Sequence, residues 1–184
     1  MARNDVLINA SATDVFNVLT DAGAYSRWVV GTKEVRGHDR AWPRSGSKFH
    51  HTIGAGPVRL RDNTKVLDIQ QDQRLLLEAR VGPLGHAVVD IAVRPAGGNA
   101  TKVTMHEMPL RGPLARTWNP LFDAVTHARN VIALRRLKRL CEAIGDTELL
   151  NAKYAKFAEE SASTTTRRTA DPTNFYDTDP DVPA

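Results

Sequence analysis

A chain of 184 residues with a single cysteine, Cys141, and a net charge of +4 is long enough to bury one core without disulfides or structural metals. The lone cysteine excludes a disulfide framework and any CxxC metal site, and its apolar helical surroundings suit a small buried side chain. No apolar run reaches bilayer-spanning length, and Met1-Ala2-Arg3-Asn4-Asp5 leads into a short strand rather than a signal peptide's apolar stretch, so a soluble, cytoplasmic protein is expected.

Asp5-Val6-Leu7-Ile8-Asn9 reads as a strand. Ser11 then caps a two-turn helix, "ATDVFNVL", with Asp14 in the acidic position of a capping box. A second short helix, "TDAGAYSRW", ends near Trp28. Six β segments follow: Thr32 to Gly37, Ser47 to Ile53, Val58 to Ile69, Arg74 to Val81, His86 to Arg94 and Lys102 to Leu110. Turn signals such as Gly54-Ala55-Gly56-Pro57 and Pro95-Ala96-Gly97-Gly98-Asn99 separate them at hairpin lengths, which makes an antiparallel meander. The main C-terminal helix is expected to start near Asn119, with Pro120 at its first position, and to end at Gly145. Leu121, Val125, Ala128 and Ile132 mark its apolar stripe, and the concave face of the sheet is where such a helix would lie.

Residues 1–145 are read as one domain and 146–161 as a helical extension. The Ser/Thr/Asp/Pro-rich 162–184 is read as a disordered acidic tail. Residues 146–184 hold four basic and eight acidic residues, net −4, which leaves 21 basic against 13 acidic, +8, in 1–145. A basic body beside an acidic tail points to association of the two or to an anionic partner.

Alternate strand residues face opposite sides of a sheet. Counting from the apolar positions puts Phe49, His51 and Ile53 on the inner face, with Val58, Leu60, Asp62, Thr64 and Val66 from the next strand. Leu75, Leu77 and Ala79, then Ala87, Val89, Ile91 and Val93, and finally Val103, Met105 and Glu107 complete it. Arg59, Arg61, Lys65, Glu78 and Arg80 fall on the outer face. Three ionisable residues, His51, Asp62 and Glu107, therefore stand among apolar ones. A buried lone carboxylate costs several kcal/mol, so these groups need water, a partner or a ligand, unless a bulge or strand end takes them to solvent.

The order of one strand, two short helices, six strands and a long helix is that of the α+β helix-grip fold, a curved antiparallel sheet wrapped around its C-terminal helix. Here the chain resembles the SRPBCC or START-like superfamily, and within it the polyketide cyclase/dehydrase and lipid-transport-like proteins. "INASATDVFNVLTDAGAYSRW", "WPRSGSKF", "DQRLLLEAR", "TKVTMHE" and "ALRRLKRLCE" carry the resemblance over roughly residues 3–144. It implies a cavity between sheet and helix that holds a hydrophobic or amphipathic small molecule, lipid or polyketide-like. The scaffold hosts many functions, so the resemblance specifies fold more than activity.

Three readings follow. In the first, the cavity serves cyclase/dehydratase-type acid–base chemistry, with His51 as general base and Asp62 and Glu107 orienting it or acting as acids. In the second, a non-catalytic carrier or sensor, the same groups only orient the ligand. Trp28, Phe49, Leu60, Thr64, Leu77 and Val89 would line the cavity, with Met105 beyond them. Trp118, Phe122, Val125 and Arg129 would face it from the helix, Arg129 within reach of Glu107 or an anionic ligand. The third reading is a basic, toxin-like or nuclease-type protein acting on RNA through Arg135, Arg136, Lys138 and Arg139, a run that equally suits a solvated helix end. No cofactor or metal site is expected: His50 and His51 point to opposite faces, and no E-x-x-H or G-x-S-x-G spacing occurs. A monomer and a homodimer fit equally.

Overall fold

A computed structural model describes residues 2–54, 57, 59–80, 85–112 and 120–169, with 120–122 and 157–169 described as backbone only. Strand β1 (Ala2–Ile8) is followed by helices α1 (Ala12–Thr20) and α2 (Tyr25–Trp28). The meander is β2 (Thr32–His38), β3 (Lys48–Ile53), β4 (Leu60–Gln70), β5 (Arg74–Arg80), β6 (His86–Pro95) and β7 (Thr101–Arg111), and α3 (Pro120–Thr169) closes the order. The expected helix-grip architecture is what the chain adopts. One seven-stranded antiparallel sheet runs β1-β7-β6-β5-β4-β3-β2, so α1 and α2 carry the chain from one edge to the other before the hairpins bring it back.

Local chemistry explains the punctuation. The Ser11 hydroxyl accepts from the Asp14 amide at 3.1 Å, capping α1. Val15, Phe16, Val18 and Leu19 turn from α1 into the core. Between β6 and the chain before it, Gly85 takes a φ of +117°, and a Cβ there would lie 2.0 Å from the Arg111 carbonyl oxygen, so only glycine fits.

Burial alternates along the strands with period two. On β7, Thr101, Val103, Met105 and Glu107 are buried and the residues between them are not. A register shift between Val66 and Asp68 moves the inward parity of β4, so Ile69 and not Asp68 packs on the core. Phe16, Trp28, Phe49, Leu75, Leu77 and Ile91 fill that core with Leu134 and Leu137 of α3, each such side chain stabilising by about 1.5–3 kcal/mol.

Helix α3 follows β1. His127 meets Asn4, Lys138 Nζ donates to the Leu7 carbonyl at 2.7 Å, and the Asn9 amide donates to Glu142 at 2.9 Å. From His127 to Glu142 the helix rises about 22 Å, and from Asn4 to Asn9 the chain advances about 17 Å, so the two run side by side.

The buried face of α3 corrects the stripe read from sequence. Val125 and Ile132 are 59% and 44% exposed, and Ala128 is exposed too. The buried face is Thr126, Asn130, Ala133, Leu134, Leu137, Leu140 and Cys141. The dense apolar half, Ala133 to Cys141, sets the rotation of the helix, and one turn further toward the N-terminus that face carries polar residues. Gly145 lies inside α3 rather than ending it, and the stretch 162–169, read as tail, is helical. The rest of the expected tail lies outside the described residues.

The chain divides into two compact units, Met1–Gly145 and Asp146–Ala184. In the second, Leu149, Leu150 and Tyr154 are exposed. Among the described residues no helix is long and apolar enough to cross a membrane, and no cluster of three or more His, Cys, Asp or Glu could hold a metal ion.

Candidate functional site

Between the sheet and α3 lies a cavity of about 510 Å³, partly open to solvent and within the range of small-molecule sites. Tyr25, Trp28, Val29 and Val30 of α2 and the following turn form one wall. His51, Ile53, Leu60 and Thr64 continue it along β3 and β4, and Leu77, Val89, Ile91 and Met105 form the floor. Arg129, Asn130 and Ala133 of α3 close it opposite Glu107.

Of the residues expected to meet a ligand, Trp28, Leu60, Thr64, Leu77, Val89, Met105 and Arg129 line the cavity, and so do His51 and Glu107. Phe49 does not. It is fully buried beneath the wall, its ring 4.4 Å from Tyr25 and 4.9 Å from Trp42 between centroids, because α2 covers that stretch of the inner face. Val125 points to solvent for the reason of helix rotation given above. Trp118 and the Phe122 side chain lie outside the described residues.

Asp62 is buried but is not part of the lining. Its Oδ1 accepts from the Asn63 amide at 2.9 Å and lies 4.0 Å from Arg80 Nε. Arg36 donates to the carbonyls of His51 and Asp62 at 3.3 and 3.2 Å, fastening the β3–β4 pair from β2.

His51 Nε2 sits 3.1 Å from the Thr64 hydroxyl, which also interacts with Tyr25. Burial pushes the His51 pKa down to about 4, against a smaller upward pull from Asp62, with Arg36 and His50 adding to the lowering. Burial likewise pushes the Tyr25 phenol up to about 12. Both groups are neutral near pH 7. Among the described residues His51 Nδ1, Trp28 Nε1 and Thr32 Oγ1 are enclosed without a hydrogen-bond partner, and all three residues line the cavity. Each such orphan costs about 1–3 kcal/mol.

The second polar cluster is saturated. Arg129 Nη2 donates to Glu107 Oε1 at 2.6 Å and also to Oε2, and Asn130 Nδ2 donates to Oε2 at 3.0 Å. Glu107 and Asn130 are buried, whereas the Arg129 side chain is 39% exposed and reaches the rim.

Sequence reasoning missed Tyr25, Thr32, Asn130 and Arg80 as cavity residues. Arg80 was placed outside by alternation, but it ends β5, where the pleat no longer constrains it from both sides. Asn130 carried a usable signal: it stands four residues before Leu134 on the face that Leu137 and Cys141 continue.

A curved antiparallel sheet gripping a helix over a largely apolar cavity defines an SRPBCC-type helix-grip protein. The chain belongs to the family described as polyketide cyclase/dehydrase and lipid transport, whose profile matches residues 2–142. Among solved structures it is similar to protein NE0264 from Nitrosomonas europaea, at 15% identity and a TM-score of 0.58, over 77% of this chain and 95% of that one. It is also similar to the di-domain ARO/CYC BexL from the BE-7585A biosynthetic pathway, at 16% identity and a TM-score of 0.59, over 75% of this chain and 45% of that one. DynU16, a protein of the dynemicin biosynthetic locus, aligns at 21% identity and a TM-score of 0.55, over 77% and 46% respectively. Likeness at these identities establishes the fold. No curated protein matches the chain.

Proposed function

We propose that this protein binds a hydrophobic or amphipathic small molecule between its sheet and α3. The cavity itself carries the reading: about 510 Å³ of space walled mainly by Val, Leu, Ile, Met and Trp side chains, with polar groups gathered in two places. Water in such a space gains little from its walls, and an apolar ligand that displaces it removes those walls from solvent. Family membership and the likeness to BexL support a lipid or polyketide-like ligand.

Any acid–base chemistry on the bound molecule falls to His51 and Glu107, since Asp62 is not in the lining. His51 is neutral and so can accept a proton, whereas Glu107 is held by Arg129 and Asn130. A carrier or sensor needs only the cavity, and that is the reading the geometry supports best.

Native mass spectrometry of freshly purified protein, followed by extraction of whatever co-purifies, tests the proposal. A discrete apolar mass is expected. An empty protein that instead carries RNA through Arg135, Arg136 and Arg139, which are exposed on α3, would overturn it. With the ligand in hand, turnover abolished in His51→Ala at affinity within about tenfold separates an enzyme from a carrier.

A further inference from the structure

Resting on that cavity reading, we propose that the bound molecule is an apolar carboxylate whose head pairs with Arg80 at the rim of the cavity while its tail lies along the sheet. Arg80 closes β5 and lines the cavity, yet its side chain is 52% exposed. Thr32, Ile53 and Leu60 stand at the same end of the sheet, since Thr32 pairs with Ile53, Ile53 with Leu60, and Thr64 with Ala79. Leu60 is 38% exposed, which marks this end as the rim. Leu77 pairs with Val89 and Val89 with Glu107, three residues or about 10 Å further along β5, where Leu77, Ile91 and Met105 are buried. The cavity therefore runs from a cationic rim to an apolar interior.

The lining holds three ionised groups, Arg80, Glu107 and Arg129, because burial keeps His51 neutral. Arg129 is matched within the lining, where its Nη2 donates to both oxygens of Glu107. Arg80 is not. The Asp62 carboxylate lies outside the lining with Oδ1 4.0 Å from Arg80 Nε, beyond hydrogen-bond distance, and that oxygen accepts from the Asn63 amide. Among the described residues the Arg80 guanidinium has this ion pair and no hydrogen bond. Arg59 and Arg61 stand exposed on either side of Leu60 and add to the positive field at this end. Glu78 is engaged by His86 and Arg111, and Glu34 stands beside Lys33.

The chemistry of the free group selects the ligand head. A guanidinium presents parallel N–H donors that match the two oxygens of a carboxylate, and such charge-assisted pairs are stronger than neutral ones. At a half-exposed rim both partners keep part of their hydration, so the pair escapes the desolvation cost of a fully buried one. A single unmatched cation suits a single negative charge. A hydroxyl head forgoes the charge assistance, and an ammonium head is repelled.

Isothermal titration calorimetry at neutral pH with decanoate, 1-decanol and decylammonium, three heads on one tail, tests this. Decanoate is expected to bind at least tenfold tighter than either of the others. Arg80→Gln should shrink its advantage over 1-decanol at least fivefold while leaving 1-decanol within threefold. Arg80→Lys keeps the charge and loses the fork, and should shrink it less. Raising NaCl from about 50 to about 500 mM should weaken decanoate at least threefold and leave 1-decanol within threefold, which decides the matter if Arg80→Gln does not fold. Tightest binding by decylammonium, or a decanoate advantage untouched in a folded Arg80→Gln, would overturn the proposal. So would a decanoate affinity indifferent to salt. If 1-decanol binds as well as decanoate, the carboxylate head fails and the cavity reading stands. If none of the three binds, both fail.

Discussion

The Glu107–Arg129–Asn130 cluster and the Trp28–Thr32–His51 corner belong to one cavity and are built on opposite principles. At the first, both carboxylate oxygens of Glu107 accept bonds from α3, joining β7 to the helix. At the second, three buried polar atoms have no partner among the described residues. A satisfied polar cluster specifies how elements dock, whereas an unsatisfied one costs stability. The first cluster ties β7 to α3, whereas the second leaves its buried polar groups to be offset by the rest of the fold.

The sharpest way to test the second end is through pH. His51 has a folded pKa of about 4 and an unfolded value near 6.5, so between those values only the unfolded chain takes up its proton. Stability from this residue is complete above about pH 6.5 and falls as pH drops toward 4, by about 3 kcal/mol at the limit. Urea midpoints measured from pH 7 to pH 4 should therefore fall more steeply for the native chain than for His51→Gln. Parallel curves would mean that His51 reaches solvent.

Breaking the docking end comes next. Glu107→Leu leaves Arg129 and Asn130 without their acceptor and should cost about 2 kcal/mol, discounted for the exposure of Arg129. Adding Arg129→Met should recover part of that loss, because the stranded cation is then gone. A double variant no more stable than the single one would contradict this account.

Thr64→Val removes the hydroxyl that His51 and Tyr25 share and leaves His51 Nε2 orphaned, for about 1–2 kcal/mol in chemical denaturation. An unchanged midpoint would show that the shared hydroxyl contributes nothing. The smallest effect should come from the outer face, where Arg74 forks onto Asp90 at 2.9 and 2.8 Å with both side chains partly in water. Arg74→Ala should cost less than about 1 kcal/mol, and less still in salt.

Much of this arrangement was legible in the residues. Apolar alternation on β3, β4 and β7 placed His51, Asp62 and Glu107 inside, because a one-residue slip would turn a whole strand inside out. Turn signals bounded the six strands of the meander to within a residue or two, whereas β1 starts three residues before the expected Asp5. Alternation could not say which buried residues border empty space and which border one another. Phe49 and Leu77 have the same parity and the same burial, yet only Leu77 lines the cavity, since α2 happens to cover Phe49.

The sequence by itself determined the order of elements, the inward face of each strand and the presence of ionisable groups among apolar ones. Those are local matters, dictated by backbone geometry and by the cost of wetting an apolar side chain. Tertiary structure decided the rotation of α3, since Val125 to Ile132 and Ala133 to Cys141 offer competing apolar faces and only contact with the sheet chooses between them. The same docking paired Glu107 with Arg129 and Asn130 across 22 and 23 positions of sequence. It also brought Trp28, Thr32 and His51 from three elements into the lining of one cavity, which no sequence spacing could have announced.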